Sequence, residues 1–156
     1  MNKLRRLIIK GSMAAGTLGV AAGAGLLVPT RVLAAWPDKA FGQKKMEDAL
    51  AILLGSGEMT ESGDINIKAP DIAENGAVVP VTVTAEMAGV ESITIAAPNN
   101  PAPLVASFDL GSGAHGYAST RIKMGKSGDV IAVVKANGKL YTAKKGVKVT
   151  IGGCGG

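Results

Sequence analysis

Between residues 63 and 151, apolar and polar side chains alternate with a period of two, which is the pattern of half-buried β-strands. The predicted strands are 65–67, 79–83, 93–95, 104–108, 119–124, 130–134, 140–143 and 147–151. Turn-forming residues separate these runs, and the Asn137-Gly138 step predicts a tight hairpin because both residues tolerate positive φ. About eight short strands at this spacing predict an all-β domain, an immunoglobulin-like antiparallel β-sandwich. A small barrel is the alternative.

The stretch 39–54 has the periodicity of a helix instead. Its apolar positions fall on one helical face and are Met46, Leu50, Leu53 and Leu54. Gly55 predicts a C-terminal cap, whereas Gly42 weakens the first turn. We therefore expect a short N-terminal helix that packs either on its own domain or on a partner.

Residues 1–34 follow a third pattern, in which a basic start precedes an apolar run without charge. This order predicts a secretory signal peptide that is cleaved after Ala34. The pair Arg5-Arg6 favours a twin-arginine signal, and hence export to the periplasm. The apolar run is about as long as a membrane span, roughly 20 residues, but its glycine and alanine content favours a cleaved signal over an anchor.

The formal net charge of +5 comes from this predicted signal peptide. The segment holds five basic residues and no acidic residue, so twelve basic and twelve acidic residues remain after its removal. A neutral mature chain gives no electrostatic reason to expect a nucleic-acid or anionic-membrane partner. Residues 35–151 are long enough for one domain with its own core.

The single cysteine of the chain, Cys154, lies between two pairs of glycines, Gly152-Gly153 and Gly155-Gly156. Glycine adds no side-chain bulk and frees the backbone, so residues 152–156 are predicted to form a flexible C-terminal arm that exposes the thiol. In an oxidising compartment, an unpaired cysteine indicates either an intermolecular bond or a deliberately free thiol. Three extended residues from Ile151 give the thiol a reach of about 10 Å.

The remaining residues offer little chemistry. His115 is the only histidine, and one histidine with one cysteine does not make a metal site, so we interpret it as a surface loop residue and expect no metal or cofactor. Lys144, Lys145 and Lys148, near the end of the predicted sheet, are typical of a solvated strand face; whether they or Arg121 assist anion binding stays open at this point. No general base lies beside Cys154 in sequence, which favours a carrier over an enzyme.

The closing residues 149–156, VTIGGCGG, resemble the C-terminus of the SoxY family, sulfur carriers of the bacterial Sox thiosulfate-oxidising system. Similar segments are 72–80 (IAENGAVVP), 100–104 (NPAPL) and 119–123 (STRIK). The resemblance implies that Cys154 is the covalent substrate attachment site, with Gly152, Gly153, Gly155 and Gly156 as its swinging arm.

The resemblance also implies partners. One is SoxZ, a second immunoglobulin-like subunit that forms a heterodimer with the carrier. The others act on the arm: the cytochrome SoxAX attaches thiosulfate to the cysteine as an S-thiosulfonate, and the manganese-dependent hydrolase SoxB releases sulfate and leaves a persulfide. SoxCD then oxidises the persulfide, or its sulfur passes to storage. The haem and the metal belong to those partners.

Three other readings remain open. Cys154 forms only a structural intermolecular disulfide in the first. In the second, the terminal Gly155-Gly156 acts as in ubiquitin-like sulfur carriers, which use a glycine carboxylate activated by ATP. Export away from ATP and the all-β pattern argue against this second reading. An intrinsic enzymatic activity is the least supported reading, because it requires a base that the sequence does not reveal.

Overall fold

The computed structural model of the chain describes residues 37–55 and 57–151. Within them lie two helices, α1 (Asp38–Phe41) and α2 (Met46–Leu54). The strands of the same part of the chain are β1 (Met59–Glu61), β2 (Ile65–Lys68), β3 (Ile72–Ala73), β4 (Val79–Ala85), β5 (Val90–Ala96), β6 (Leu104–Asp109), β7 (Tyr117–Ile122), β8 (Gly128–Ala136) and β9 (Lys139–Val149). The predicted signal peptide, residues 1–34, and the predicted arm, residues 152–156, lie outside the described residues.

The strands form two sheets that pack face to face as a β-sandwich. The larger sheet has the order β1-β9-β8-β5-β6, with β3 also paired to β9, and the smaller sheet has the order β2-β4-β7. All pairs among the longer strands are antiparallel. The predicted immunoglobulin-like antiparallel sandwich is therefore confirmed, with two short additions: β1 and β3 each pair with β9 in parallel.

The core lies between the two sheets and follows from the alternation of apolar side chains. In β4, Val79, Val81 and Val83 are fully buried, while the residues between them face outward or are half-buried. Alternate residues of β8 face them from the larger sheet, including Val130 and Val134. Because a shift of one residue would turn Val79, Val81 and Val83 to the outer face of the smaller sheet, the pattern also fixes the register of β4.

The helices cover the outer face of the larger sheet. Leu50 of α2 is 4% exposed and packs in a second apolar cluster with Leu104, Val133 and Leu140. The expected single stretch 39–54 is interrupted, because the chain turns at residues 42–45 between α1 and α2. Gly55 caps α2 as predicted: its φ is +86°, and its N–H donates to the carbonyl of Ala51.

The predicted division of the last strand region was wrong. Residues 140–143 and 147–151 were expected as separate strands, but β9 runs without a break from Lys139 to Val149 and pairs with β8 along its length. The polar residues between the two runs lie in the ladder, because strand pairing satisfies their backbone whatever their side chains. The hairpin at Asn137-Gly138 is confirmed, and both residues have positive φ, 50° and 72°.

Candidate functional site

The strand β9 leads to the segment that contains Cys154, so its last residues define the root of that segment. Gly128, the first residue of β8, is paired with Val147, and β9 ends two residues later at Val149. Ile151 is the last residue described before the cysteine and is 67% exposed. We call residues 148–151 the arm root.

The backbone of the loop before β4 holds one side of the arm root. The N–H of Lys148 donates to the carbonyl of Asp71 over 2.9 Å, and the N–H of Thr150 donates to the carbonyl of Ala73 over 3.1 Å. Further along, the N–H of Gly76 donates to the carbonyl of Ile151 over 2.8 Å. The arm root is thus bound by main-chain hydrogen bonds up to the last described residue.

Two side-chain hydroxyls add to this support. The Thr150 hydroxyl donates to the carbonyl of Glu74 over 3.0 Å. On the other side, the N–H of Val149 donates to Ser127 Oγ over 2.8 Å, and this hydroxyl donates to the carbonyl of Val149 over 3.3 Å. Sequence reasoning missed both hydroxyls, because Ser127 and Val149 are 22 positions apart and neither residue type signals the contact.

Two asparagines fix the loop that carries Ser127. Asn99 Nδ2 donates to the carbonyl of Ser127 over 2.8 Å. Asn100 uses both ends of its amide, since Nδ2 donates to the carbonyl of Lys123 over 2.7 Å and Oδ1 accepts from the N–H of Gly125 over 3.0 Å. The position of Ser127 is therefore set by the rest of the domain and not by the loop alone.

The basic residues considered for anion binding are not brought together. Lys145 forms an ion pair with Asp71, with Nζ 3.1 Å from the carboxylate oxygen. Lys144 and Lys148 are exposed and, by the alternation of strand side chains, lie on the opposite face of β9. Arg121 is exposed on β7, in the other sheet. Of these four cations only Lys148 lies in the arm root, so the structure does not gather the four of them there.

The opposite end of the sandwich holds His115. This residue is exposed, as predicted, in the loop before β7, and it lines a cavity of about 730 Å³ together with Met87 and Tyr117. Since β4 and β7 are antiparallel, this loop lies at the far end of the smaller sheet from Val79 and the loop that binds the arm root. The described residues contain no group of three histidine, cysteine, aspartate or glutamate side chains able to hold a metal ion.

The same end carries one carboxylate with a perturbed pKa. The N–H of Gly138 donates to Glu91 Oε1 over 2.8 Å, and Lys135 Nζ lies 3.3 Å from Glu91 Oε2. The backbone hydrogen bond from Gly138 is the main cause that lowers the pKa of Glu91 below its ordinary value; desolvation opposes it, and the hydrogen bond and charge of Lys135 add smaller contributions in the same direction as Gly138. These contacts hold the β8–β9 hairpin against the start of β5, so their role is structural.

Comparison with known proteins identifies the family. The family model of the sulfur oxidation protein SoxY matches residues 50–154 of the sequence, a range that includes Cys154. The chain belongs to the SoxY family. A solved structure of the sulfur carrier protein SoxY from Chlorobium limicola f thiosulfatophilum is 48% identical, with a TM-score of 0.63, over 69% of this chain and 97% of that chain. The family resemblance of the sequence is thereby confirmed.

Other solved structures are more distant from this SoxY-family chain. A superoxide reductase (neelaredoxin) from Ignicoccus hospitalis is 21% identical with a TM-score of 0.47, over 55% of this chain and 79% of that chain. A likeness at this level says nothing about function. The comparison with curated proteins gave no significant match. Among the described residues, no helix is long and apolar enough to cross a membrane.

Proposed function

We propose that this chain is a periplasmic sulfur carrier that holds the intermediates of thiosulfate oxidation covalently on Cys154. Membership of the SoxY family supports the proposal most strongly, since the matched range extends to this cysteine. The arm root supports it further, because the domain binds the backbone up to Ile151, and glycines surround the thiol beyond it. A fixed root followed by a glycine-flanked thiol suits delivery of a bound group into the active sites of other proteins.

The proposed chemistry needs no catalytic group in the carrier. In the loading step, the Cys154 thiol and thiosulfate form an S–S bond, which yields an S-thiosulfonate, one proton and two electrons. A haem-containing partner, SoxAX, takes up these electrons. Hydrolysis by SoxB then adds water across the bond between the sulfane sulfur and the sulfonate, so sulfate leaves and a persulfide remains on Cys154. Persulfidation is a reversible modification of cysteine, as a carrier cycle requires.

Partners complete the proposed system. SoxZ is the proposed second subunit of a heterodimer, SoxAX and SoxB act on the arm, and SoxCD oxidises the persulfide where this route is used. The carrier itself is not an enzyme in this scheme. Its substrate is loaded and processed by other proteins.

The proposed route to the periplasm uses residues 1–34 as a twin-arginine signal peptide. Residues 35–151 then form the exported domain, and residues 152–156 its carrier arm. Replacement of Arg5 and Arg6 by lysine, which keeps the charge, is expected to stop export and leave the uncleaved chain in the cytoplasm. Export of this double variant at the normal level would contradict the twin-arginine route.

A cysteine variant tests the carrier function against the alternative of a structural disulfide. In a reconstituted system with the partners, Cys154→Ser is expected to abolish thiosulfate oxidation, and the native chain alkylated with iodoacetamide serves as a matched chemical control. If both preparations keep the activity and lose only a disulfide-linked dimer, the carrier function is wrong and the structural disulfide is right.

A further inference from the structure

The last antiparallel pair of β8 and β9 leaves part of the arm root without a strand partner. Beyond the pair Gly128 and Val147, β8 no longer continues, so the ladder cannot bind Val149 on this side. Ser127, the residue just before β8, supplies the missing partner with its side chain, because its hydroxyl binds both the N–H and the carbonyl of Val149. On the opposite edge of β9, the pairing with β3 ends at Ala73 and Val149. The Thr150 hydroxyl adds one more bond beyond this end, because it donates to the carbonyl of Glu74.

We propose that Ser127 and Thr150 are positioning residues that fix Ile151 as the pivot from which the Cys154 thiol is presented. The proposal rests on the carrier function proposed above and adds to it the residues that set the reach of the arm. Ser127 and Thr150 are both exposed, and each binds backbone atoms at the end of a strand, where a sheet frays first.

The consequence of the pivot is geometric. Cys154 is three positions beyond the pivot Ile151, and a chain of this length spans at most about 10 Å. Without the two hydroxyls, residues 149–151 keep only their main-chain hydrogen bonds to residues 73–76 and detach for part of the time. In the detached state Cys154 is six residues beyond Lys148, and a chain of this length spans at most about 20 Å. Doubling the radius increases the volume open to the thiol about eightfold, so its effective concentration at a docked active site falls by up to about the same factor.

A structural role and a positioning role predict different results. Removal of an exposed hydroxyl is expected to change the free energy of unfolding only slightly, whatever its role. A positioning role predicts in addition that the distribution of thiol positions widens. It also predicts a higher KM of the loading enzyme for the carrier with an unchanged kcat, because only encounter with the thiol is impaired.

The test uses the full chain with Lys139→Cys, labelled with nitroxides at this residue and at Cys154. Lys139 is exposed at the other end of β9, ten residues from Val149, so the label reports on a fixed point about 33 Å from the arm root. Distances are measured by pulsed electron paramagnetic resonance. The test variants Ser127→Ala, Thr150→Val and the double variant are compared with a matched control, Thr82→Val, which loses the bond to Ser119 on the smaller sheet.

We expect each single variant to broaden the distance distribution and the double variant to broaden it most, up to about twofold. Thr150→Ser, which keeps the hydroxyl, is expected to retain the narrow distance distribution of the native chain. Thr82→Val is expected to leave that distribution unchanged as well. In the chains without Lys139→Cys, the KM for loading by the cytochrome rises severalfold in the double variant, to at most about eightfold.

An unchanged distance distribution in the double variant overturns the positioning role, as does an unchanged KM. A failure of the native chain to accept any sulfur on Cys154 contradicts the carrier function instead, and the distance measurement still decides whether Ser127 and Thr150 fix the pivot. The two failures are therefore distinguishable.

Discussion

The packing of α2 on its own domain predicts a large loss of stability in Leu50→Ala. Leu50 is 4% exposed and lies against Leu104, Val133 and Leu140, whereas Ile52 on the same helix is 50% exposed. Truncation of a buried leucine removes the transfer free energy of its side chain and leaves a cavity, which together cost about 2–5 kcal/mol. Ile52→Ala is the matched control, for which we expect a change within about 0.5 kcal/mol.

The expected loss translates into a measurable shift of the melting temperature. Unfolding of a domain of this size has an entropy of about 0.25 kcal/mol/K, from roughly 2.1 cal/mol/K per residue. A loss of about 3 kcal/mol therefore lowers Tm by roughly 12 °C, and differential scanning calorimetry of the chain without partners measures it. If Leu50→Ala has the Tm of Ile52→Ala, the helix does not stabilise its own domain and its apolar face serves a partner instead.

Two further predictions concern the far end of the sandwich. The hydrogen bond from Gly138 lowers the pKa of Glu91, so the ionised carboxylate stabilises the folded chain. This stabilisation is present when the pH is above the ordinary pKa of 4.5, and it is lost as the pH falls through the lowered pKa. The difference in Tm between the native chain and Glu91→Gln should thus be present at neutral pH and vanish in acid; a difference that grows in acid would contradict it. Gly116→Ala would place Cβ 2.5 Å from the carbonyl oxygen of Ala85, and we expect a cost of roughly 1–3 kcal/mol in urea unfolding. Gly111→Ala, with nothing within 4 Å of its Cβ, is the control, and equal stability of the two variants would contradict the clash.

Strand periodicity was sufficient to predict the sandwich because burial in the core strands alternates with sequence. Val79, Val81 and Val83 show this most clearly, since all three are fully buried on one face of β4. The pattern was insufficient where a strand has little burial of its own. Residues 72–73 form β3 only through pairing with residues of β9 that are 76 positions away, and no local signal marks such a pairing.

The candidate site divides in the same way. Cys154 and its glycines are visible in the sequence, because their composition is unusual and needs no tertiary information. The support of the arm root is invisible there, since the Thr150 hydroxyl and its acceptor at Glu74 are 76 positions apart. The lysines near the end of β9 looked like one basic group, but strand alternation and the ion pair of Lys145 with Asp71 separate them.

The most direct test of the carrier function is the mass of the tryptic peptide 149–156, which contains Cys154. The exported chain is incubated with thiosulfate, the loading cytochrome and an electron acceptor, and the peptide is analysed without reduction. The account predicts a thiosulfate-derived adduct on Cys154, converted to a persulfide when the hydrolase is added. If the mixture oxidises thiosulfate while this peptide carries only the free thiol or glutathione, Cys154 is not the carrier residue and the account is wrong.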